Sequence, residues 1–270
     1  MNKYSPIVLP LLMMASPAFA DTRPGGDSSD PIAAAADADT IEFEIATGAD
    51  YSVGDYGAAI DTKVWSVPLD LKVRSGRFRA EASLPYVFIT GPGQIVGGVV
   101  VQDPAGTAVA SRSGIGDLSL TAAYMITTES GALPTIELSG TAKLPTAKTT
   151  IGTGKTDFAL NASLYKSVGP GVMLFGTVGY SWLGSPAAYQ LENGISASGG
   201  LNYQPAEGQN YGVSAAWREP VAAGLEGQAV ISPYMTYRVS KRLGLTFYGM
   251  AGLNDASPRY GGGLRLSFFP

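Results

Sequence analysis

Residues 157–168 read DFALNASLYKSV, and this stretch alternates strictly between two kinds of side chain. Its apolar positions are Phe158, Leu160, Ala162 and Leu164, and the positions between them are small or polar, including Asn161 and Ser163. Successive side chains of a strand point to opposite faces. The stretch therefore predicts a β-strand with one apolar and one polar face. The same period recurs in residues 210–217, NYGVSAAW, and in residues 42–51, EFEIATGADY.

Working outward from these stretches, the same alternation predicts about twelve strands. We expect them near 40–51, 62–74, 77–90, 115–126, 134–147, 156–168, 172–183, 195–205, 210–219, 228–239, 243–253 and 259–269. Short turns and longer loops alternate between them, as in a meander of antiparallel strands. Because no run of about 18 apolar residues occurs after residue 40, the pattern argues against transmembrane helices.

The composition excludes several classes of function. The 270 residues include no Cys and no His, which removes thiolate nucleophiles, disulfides, His-ligated metals and Ser-His catalysis. The formal net charge is -4, whereas nucleic-acid binders need a basic face. We therefore expect no metal, no cofactor and no nucleic-acid partner. Charged residues make up 15%, against about 25% in an ordinary soluble domain.

The first 39 residues lie outside the strand pattern. Residues 1–20 carry a single Lys3, a short apolar core and the small-residue site Ala18-Phe19-Ala20, which is typical of a cleaved secretory signal peptide. Residues 21–39 contain five Asp and one Arg among Gly, Pro, Ser and Ala. Such a composition cannot bury a core, so we expect a disordered acidic periplasmic tail. Residues 40–270 are the expected folded domain.

Aromatic side chains on the apolar faces indicate that the strands cross a membrane. One set falls next to the longer loops and another next to the short turns: Trp65, Tyr86, Tyr180, Trp182 and Trp217, and then Tyr203, Tyr211, Tyr237 and Phe268. Two aromatic belts around an apolar band are typical of a transmembrane β-barrel. We therefore predict an all-β, antiparallel, up-and-down barrel of about twelve strands in a Gram-negative outer membrane. Both termini would be periplasmic, and lipid and lipopolysaccharide would surround the barrel.

The polar faces would then line the lumen. Charges are concentrated on the first three strands and the last one, and tyrosines stand on later strands. The candidate lumen residues are Glu42, Glu44, Asp70, Lys72, Arg74, Arg77, Arg79, Glu81, Tyr234, Tyr248 and Arg265. Closure of the barrel would make the last strand neighbour the first. We expect one charged wall and one neutral, partly aromatic wall, or else an ion-pair lattice that only stiffens the barrel.

Several short motifs in order resemble a known family. They are Leu84-Pro85-Tyr86, Gly114-Ile115-Gly116-Asp117-Leu118, Leu144-Pro145-Thr146-Ala147, Gly152-Thr153-Gly154-Lys155-Thr156-Asp157, Gly179-Tyr180 and Tyr260-Gly261-Gly262-Gly263-Leu264. Together they resemble the outer-membrane porin and transporter family linked with the meta-pathway of phenol degradation. The resemblance implies passive movement of small, often aromatic, organic molecules and no catalytic residues. The barrel-assembly machinery would read the terminal strand, although Phe269 and Pro270 displace its aromatic signal from the end.

The sequence favours a passive pore for small organic solutes and leaves two alternatives open. A structural or adhesin-type barrel would have a plugged lumen. An outer-membrane enzyme would need a centre without a His base. The apolar segment 95–101 lies in the long loop 91–114 and either extends the strands or folds inward as a partial plug. The solute, the direction of flow and the oligomeric state stay open.

Overall fold

The structure is a computed structural model that describes residues 41–96, 98–101, 110–187 and 190–270. It contains fifteen strands in these residues. They are β1 (Ile41–Gly54), β2 (Thr62–Ser75), β3 (Phe78–Thr90), β4 (Gln94–Val96), β5 (Val99–Val101), β6 (Ser111–Ile115), β7 (Leu118–Thr127), β8 (Thr135–Leu144), β9 (Asp157–Gly169), β10 (Val172–Trp182), β11 (Gly194–Ala206), β12 (Gln209–Arg218), β13 (Gln228–Ser240), β14 (Leu243–Gly252) and β15 (Tyr260–Phe268). The expected signal peptide and acidic tail lie outside the described residues.

Antiparallel neighbours close the sheet on itself. The wall of the barrel consists of β1–β3 and β6–β15, with β6 and β7 counted as one strand. Each wall strand pairs with the wall strands before and after it, and β15 pairs with β1. In register, Arg265 of β15 lies opposite Gly48 of β1. The strands β6 and β7 together occupy one strand position of the wall, so the barrel has twelve strand positions. The predicted all-β, antiparallel, twelve-strand barrel is therefore confirmed.

The wall position formed by β6 and β7 contains the main irregularity. The β3 strand pairs with β7 over residues 78–83 and with β6 over residues 86–90. Gly116 lies between β6 and β7, and its N–H donates to the carbonyl of Pro85 at 2.8 Å. The wall strand predicted to begin near residue 115 therefore begins at Ser111. Its pairing with β3 is interrupted at Gly116-Asp117 and continues on both sides of this break, as at a β-bulge.

Burial runs opposite to that of a soluble protein. The large apolar side chains of β9, such as Phe158 and Leu160, are more than half exposed, whereas its polar Asn161 and Ser163 are buried. The same inversion holds around the barrel. A continuous apolar outer face of this size requires lipid, and closure satisfies the backbone groups that lipid could not. In the described residues, no helix is long and apolar enough to cross a membrane.

All connections of one kind lie at one end of the barrel. The longer connections 55–61, 91–110, 145–156, 183–193, 219–227 and 253–259 lie at what we call the long-loop end. The opposite, short-turn end carries the turns at 76–77, 170–171, 207–208 and 241–242, the connection 128–134, and the start of β1. The predicted alternation of short and long connections is therefore present in the folded chain.

Candidate functional site

One arginine on the inner face of β15 forms ion pairs with carboxylates on the inner faces of β1 and β2. Arg265 contacts two carboxylates, with Nη2 at 3.1 Å from Asp50 Oδ2 and Nη1 at 2.8 Å from Asp70 Oδ2. The Tyr248 hydroxyl donates to Asp50 Oδ1 at 2.7 Å, and the Ser83 hydroxyl donates to Asp70 Oδ1 at 2.5 Å. Barrel closure brings these groups together from both ends of the chain. Each buried charge therefore has a partner, as burial requires.

A second arginine is more deeply buried, near the short-turn end. Arg79 is 2% exposed, and so is Glu137 of β8. Its Nη2 and Nε lie 2.6 and 3.4 Å from the two Glu137 oxygens, and its Nη1 contacts Glu81. The bidentate geometry fixes the guanidinium in place. This cluster of Arg79, Glu81 and Glu137, which we call the Arg79 cluster, fills its part of the lumen.

The remaining charged candidates lie close to the short-turn end. Lys72 pairs with Glu44 across β1 and β2. Glu42 lies opposite Arg74 in the same ladder, and both side chains have interaction partners. Arg77 belongs to the turn between β2 and β3, is exposed, and donates to the Ile126 carbonyl at 3.4 Å. Arg77 is therefore a rim residue rather than part of the packed interior.

The opposite interior wall, β10–β14, is mostly uncharged. Tyr234 donates to Asn202 Oδ1 at 3.1 Å, and Asn202 in turn donates to Asn210 Oδ1 at 3.2 Å. The hydroxyls of Thr236 and Thr246 are 2.8 Å apart. Tyr248 also belongs to this wall, but its hydroxyl reaches the charged side at Asp50. The neutral wall is thus tied to the charged wall.

The candidate aromatics all lie on the outer face. Eight of them are exposed on that face: Trp65, Tyr86, Tyr180, Trp182, Tyr203, Tyr211, Trp217 and Phe268. Tyr237 is half-buried and hydrogen-bonds Tyr211 through the two hydroxyls at 2.8 Å. At the long-loop end, Tyr180 and Trp182 pack edge to face at 4.9 Å. These rings lie near the ends of the strands, where an amphipathic ring suits the interface between lipid and water.

Sequence reasoning missed a charged cluster at the long-loop end. Lys143 of β8 is buried, and its Nζ lies 3.0 Å from Asp117 Oδ2 and 2.8 Å from Asp157 Oδ2. Asp117 accepts the N–H of Ala147, and Asp157 accepts the N–H of Gly184. This set of Asp117, Lys143 and Asp157, the Lys143 cluster, anchors two loops. Lys143 and Asp157 stand on the polar faces of their strands, so the period-two pattern could have included them, as it could have included Glu137.

The apolar segment of the long loop forms a separate hairpin. Within the part of the chain that the structure describes, strands β4 and β5 pair with each other and with no other strand, and we call them the mouth hairpin. Its base is fixed by Arg112, which donates to the Gly91 and Gly93 carbonyls, and by the Gly93 N–H, which donates to Thr62 Oγ1 at 2.9 Å. Arg112 lies on β6, so the hairpin starts at the β3 side of the barrel.

The mouth hairpin reaches the far side of the barrel. Val96 packs with Leu183, Leu191 and Val221 from the loops after β10 and β12. The Val100 carbonyl accepts a hydrogen bond of 3.2 Å from the side chain of Gln228 on β13. In the wall order, β12 is half the circuit away from β3. The hairpin therefore spans the long-loop mouth and folds inward, rather than extending the wall strands.

A cavity of about 300 Å³ remains between the mouth hairpin and the loops. Residues Val99–Val101 form one side, and residues of the loop 219–227 form another. Tyr56, Arg218, Gln228 and Asp255 also line it. In the described residues, no group of three or more His, Cys, Asp or Glu side chains could hold a metal ion.

The closed barrel, its lipid-facing band and its polar interior define the class of protein: an outer-membrane β-barrel of the Gram-negative type. Residues 46–268 match the family described as "Putative MetA-pathway of phenol degradation". The chain belongs to this family, and the predicted resemblance is confirmed.

Solved structures share the fold at low sequence identity. The COG4313 outer membrane channel from Pseudomonas putida F1 is 15% identical, with a TM-score of 0.65 over 85% of this chain and 95% of that chain. The NanC porin is 8% identical, with a TM-score of 0.54 over 84% of this chain and 99% of that one. Among curated proteins, none matches. At these identities the likeness concerns the fold, and both similar proteins are channels rather than enzymes.

Proposed function

We propose that the chain is a passive outer-membrane pore for small organic solutes of aromatic or amphiphilic character. One observation carries the proposal: a closed twelve-strand barrel with a lipid-facing outer band encloses a polar interior and an apolar hairpin at its mouth. An eight-stranded barrel is filled by side chains, whereas sixteen strands leave a water channel. The lumen of a twelve-stranded barrel is intermediate in width, and here interior ion pairs and the mouth hairpin narrow it further. Such a lumen suits slow, size-limited diffusion of a solute down its concentration gradient.

The family and one fold neighbour agree with this proposal. The family description refers to phenol degradation, and the similar structure from Pseudomonas putida is an outer membrane channel. We propose that the long-loop end faces outward and that both termini are periplasmic. Lipopolysaccharide and the barrel-assembly machinery are proposed partners. We further propose that the chain has no enzymatic activity, since it lacks His and Cys.

A plugged structural barrel is the second candidate, and interior burial favours it. Even small interior side chains are covered: Asn202 and Asn210 are 0% exposed, and Ser163 is 1% exposed. Side chains that line a wide water channel would be open to solvent. The lumen is therefore constricted at these levels, and transport must follow the remaining space or a movement of the mouth hairpin.

Liposome swelling separates the two candidates. Purified protein is reconstituted in liposomes, and swelling is followed with sugars of increasing size and with neutral aromatic alcohols. A pore gives swelling that declines with solute size, and planar-bilayer recordings in KCl show discrete conductance steps. Liposomes with the Arg77→Ala variant, which changes only an exposed rim residue, serve as the matched control. Absence of swelling with every solute, in protein that is folded, contradicts the pore and supports the plugged barrel.

A further inference from the structure

Asp70 is an interior carboxylate that remains open to the lumen although it is ion-paired. We infer that Asp70 makes the pore prefer cations and uncharged solutes to anions. The inference rests on the proposed pore function, since it names the residue that sets the charge preference of that pore. Three observations support it: the surplus of negative charge around Asp70, the exposure of its side chain, and the neutral wall across from it.

Two carboxylates share one cation in the cluster that contains Asp70. Arg265 Nη1 lies 2.8 Å from Asp70 Oδ2, and its Nη2 lies 3.1 Å from Asp50 Oδ2. Asp70 also accepts a hydrogen bond from the Ser83 hydroxyl, and Asp50 accepts one from the Tyr248 hydroxyl, which are neutral donors. One guanidinium balances one carboxylate, so the cluster keeps one negative charge in excess when all three groups are ionised.

Asp70 faces the lumen, whereas its cation is covered. Leu69 and Leu71, on either side of it, are exposed on the outer face, so the alternation of the strand points Asp70 inward. The Asp70 side chain is 32% exposed, against 8% for Asp50 and 7% for Arg265. An ion in the lumen therefore meets the Asp70 carboxylate before it meets the guanidinium that partly compensates it.

The other interior ion pairs are less open to the lumen. The carboxylates of the Arg79 cluster and the Lys143 cluster are at most 15% exposed. On the same strand as Asp70, toward the short-turn end, Lys72 is paired with Glu44, and this pair has no net charge. Asp70 is therefore the surplus acid of these clusters that passing ions contact most directly.

The wall across from Asp70 is neutral along most of its length. In the wall order, β11 lies half the circuit away from β2, and the interior groups on that side include Tyr234 and Asn202. Among the described residues of β10–β14, the cations on the inner face are Arg218 and Arg238, near strand ends at opposite ends of the barrel. A charge between low-dielectric walls concentrates its counter-ions, so cations should be enriched beside Asp70 and anions depleted.

Reversal potentials in planar bilayers test the inference. Purified protein is recorded at pH 7 between unequal KCl concentrations, and the zero-current voltage gives the ratio of K⁺ to Cl⁻ permeability. We expect a ratio of at least about 3, because a surplus charge in a narrow, low-dielectric lumen enriches its counter-ion. Asp70→Asn should bring the ratio to within about twofold of unity. Asp70→Glu keeps the charge and should keep the cation preference.

Asp255→Asn is the matched control, because it removes the same charge at an exposed position of the long-loop end. Salt screens an exposed charge more than one inside the lumen, so this variant should keep the cation preference of the unmodified protein.

Charge can also be restored at position 70 within one folded protein. The chain contains no Cys, so a thiol-specific reagent reacts only at the thiol that Asp70→Cys introduces. A methanethiosulfonate that carries a sulfonate should restore the cation preference of this variant. One that carries a trimethylammonium group should lower the permeability ratio below unity. The comparison before and after modification separates the effect of charge from any effect of the substitution on folding.

Three results overturn the inference while leaving the pore intact. They are a permeability ratio near unity in the unmodified protein, equal changes in Asp70→Asn and Asp255→Asn, and no response of Asp70→Cys channels to either reagent. Absence of any current from folded protein is a different result. It contradicts the proposed pore, and the inference fails with it.

Discussion

At the residue scale, paired charges inside a lipid-embedded barrel explain why so polar an interior is stable. Arg79 and Arg265 each contact two carboxylates, and Lys143 does the same. Removing one member of a buried pair leaves the other without compensation. The surplus of acids over bases in these clusters makes each basic residue harder to replace than any single carboxylate. The interior lattice therefore depends most on three cationic side chains.

We predict that Arg79→Ala lowers the free energy of unfolding by about 3–5 kcal/mol, because Glu81 and Glu137 lose their shared cation. Urea unfolding in detergent micelles, followed by tryptophan fluorescence, measures the change. Arg77→Ala removes the same side chain type two residues away at an exposed position, and its effect should stay within about 0.5 kcal/mol. Similar losses for both variants would show that the Arg79 cluster does not stabilise the barrel.

At the element scale, the connection between β7 and β8 is held by a side chain at the short-turn end. Glu129 pairs with Lys166 on β9 at 2.9 Å and accepts the N–H and the hydroxyl of Ser167. Burial alone would raise its pKa, but the contacts with Lys166 and Ser167 lower the pKa of Glu129 below its ordinary value. The Glu129 carboxylate therefore links the seven-residue connection 128–134, between β7 and β8, to the following strand β9.

A lowered pKa stabilises the folded state above the pKa of the unfolded chain, near 4.3. The stability that Glu129 contributes is present at neutral pH and is lost as the pH falls through the lower, folded value. We predict that the protection factor of the Ser167 amide against hydrogen exchange falls in acid and falls at pH 7 in Glu129→Gln. Glu207→Gln, in the exposed turn between β11 and β12, is the control. Unchanged protection of Ser167 in Glu129→Gln would contradict this role.

At the scale of the whole molecule, the mouth hairpin lies across the long-loop mouth of the barrel. It starts beside β3 and contacts loops and strands on the opposite side. Apolar contacts at Val96, Leu183, Leu191 and Val221 hold it across the mouth. The wall itself is continuous, so the hairpin can be removed without breaking a ladder of the barrel.

We predict that replacing residues 94–101 with a Gly-Ser linker raises single-channel conductance at least about twofold, because the obstruction leaves while the wall stays closed. Recordings in planar bilayers measure the change, and circular dichroism checks that the strand content is kept. The same linker inserted at residues 207–208, in a short turn, should leave conductance unchanged. A hairpin variant with wild-type conductance would place the limiting constriction among the interior ion pairs.

The signal peptide that we propose for residues 1–20 gives a further prediction. Export and cleavage after Ala20 should leave a mature protein that begins at Asp21. Intact-mass measurement on protein from the membrane fraction checks this. Ala18→Lys disrupts the small-residue site and should leave a longer, uncleaved form. A mature protein that retains residues 1–20 would contradict the signal interpretation.

Particular residues show how far sequence reasoning reached and where it stopped. Alternation in residues 157–168 identified the strand, its lipid face and its polar face, because the period of two is a local property of the backbone. It also identified Arg265 as a neighbour of the first strands, since closure follows from the need to pair every edge in lipid. The partners Glu137, Lys143 and Asp157 lie on the same kind of polar face, but which acid meets which base depends on strand register.

The sequence by itself determined a closed, antiparallel barrel, because period-two patterning and aromatic belts are local features that recur along the chain. Only the tertiary structure decided that the mouth hairpin crosses to the far wall and that the interior charges form compact clusters around Arg79, Lys143 and Arg265. These features depend on contacts between residues far apart in the chain. Such contacts follow from the shape of the closed sheet and leave no periodic trace in the order of amino acids.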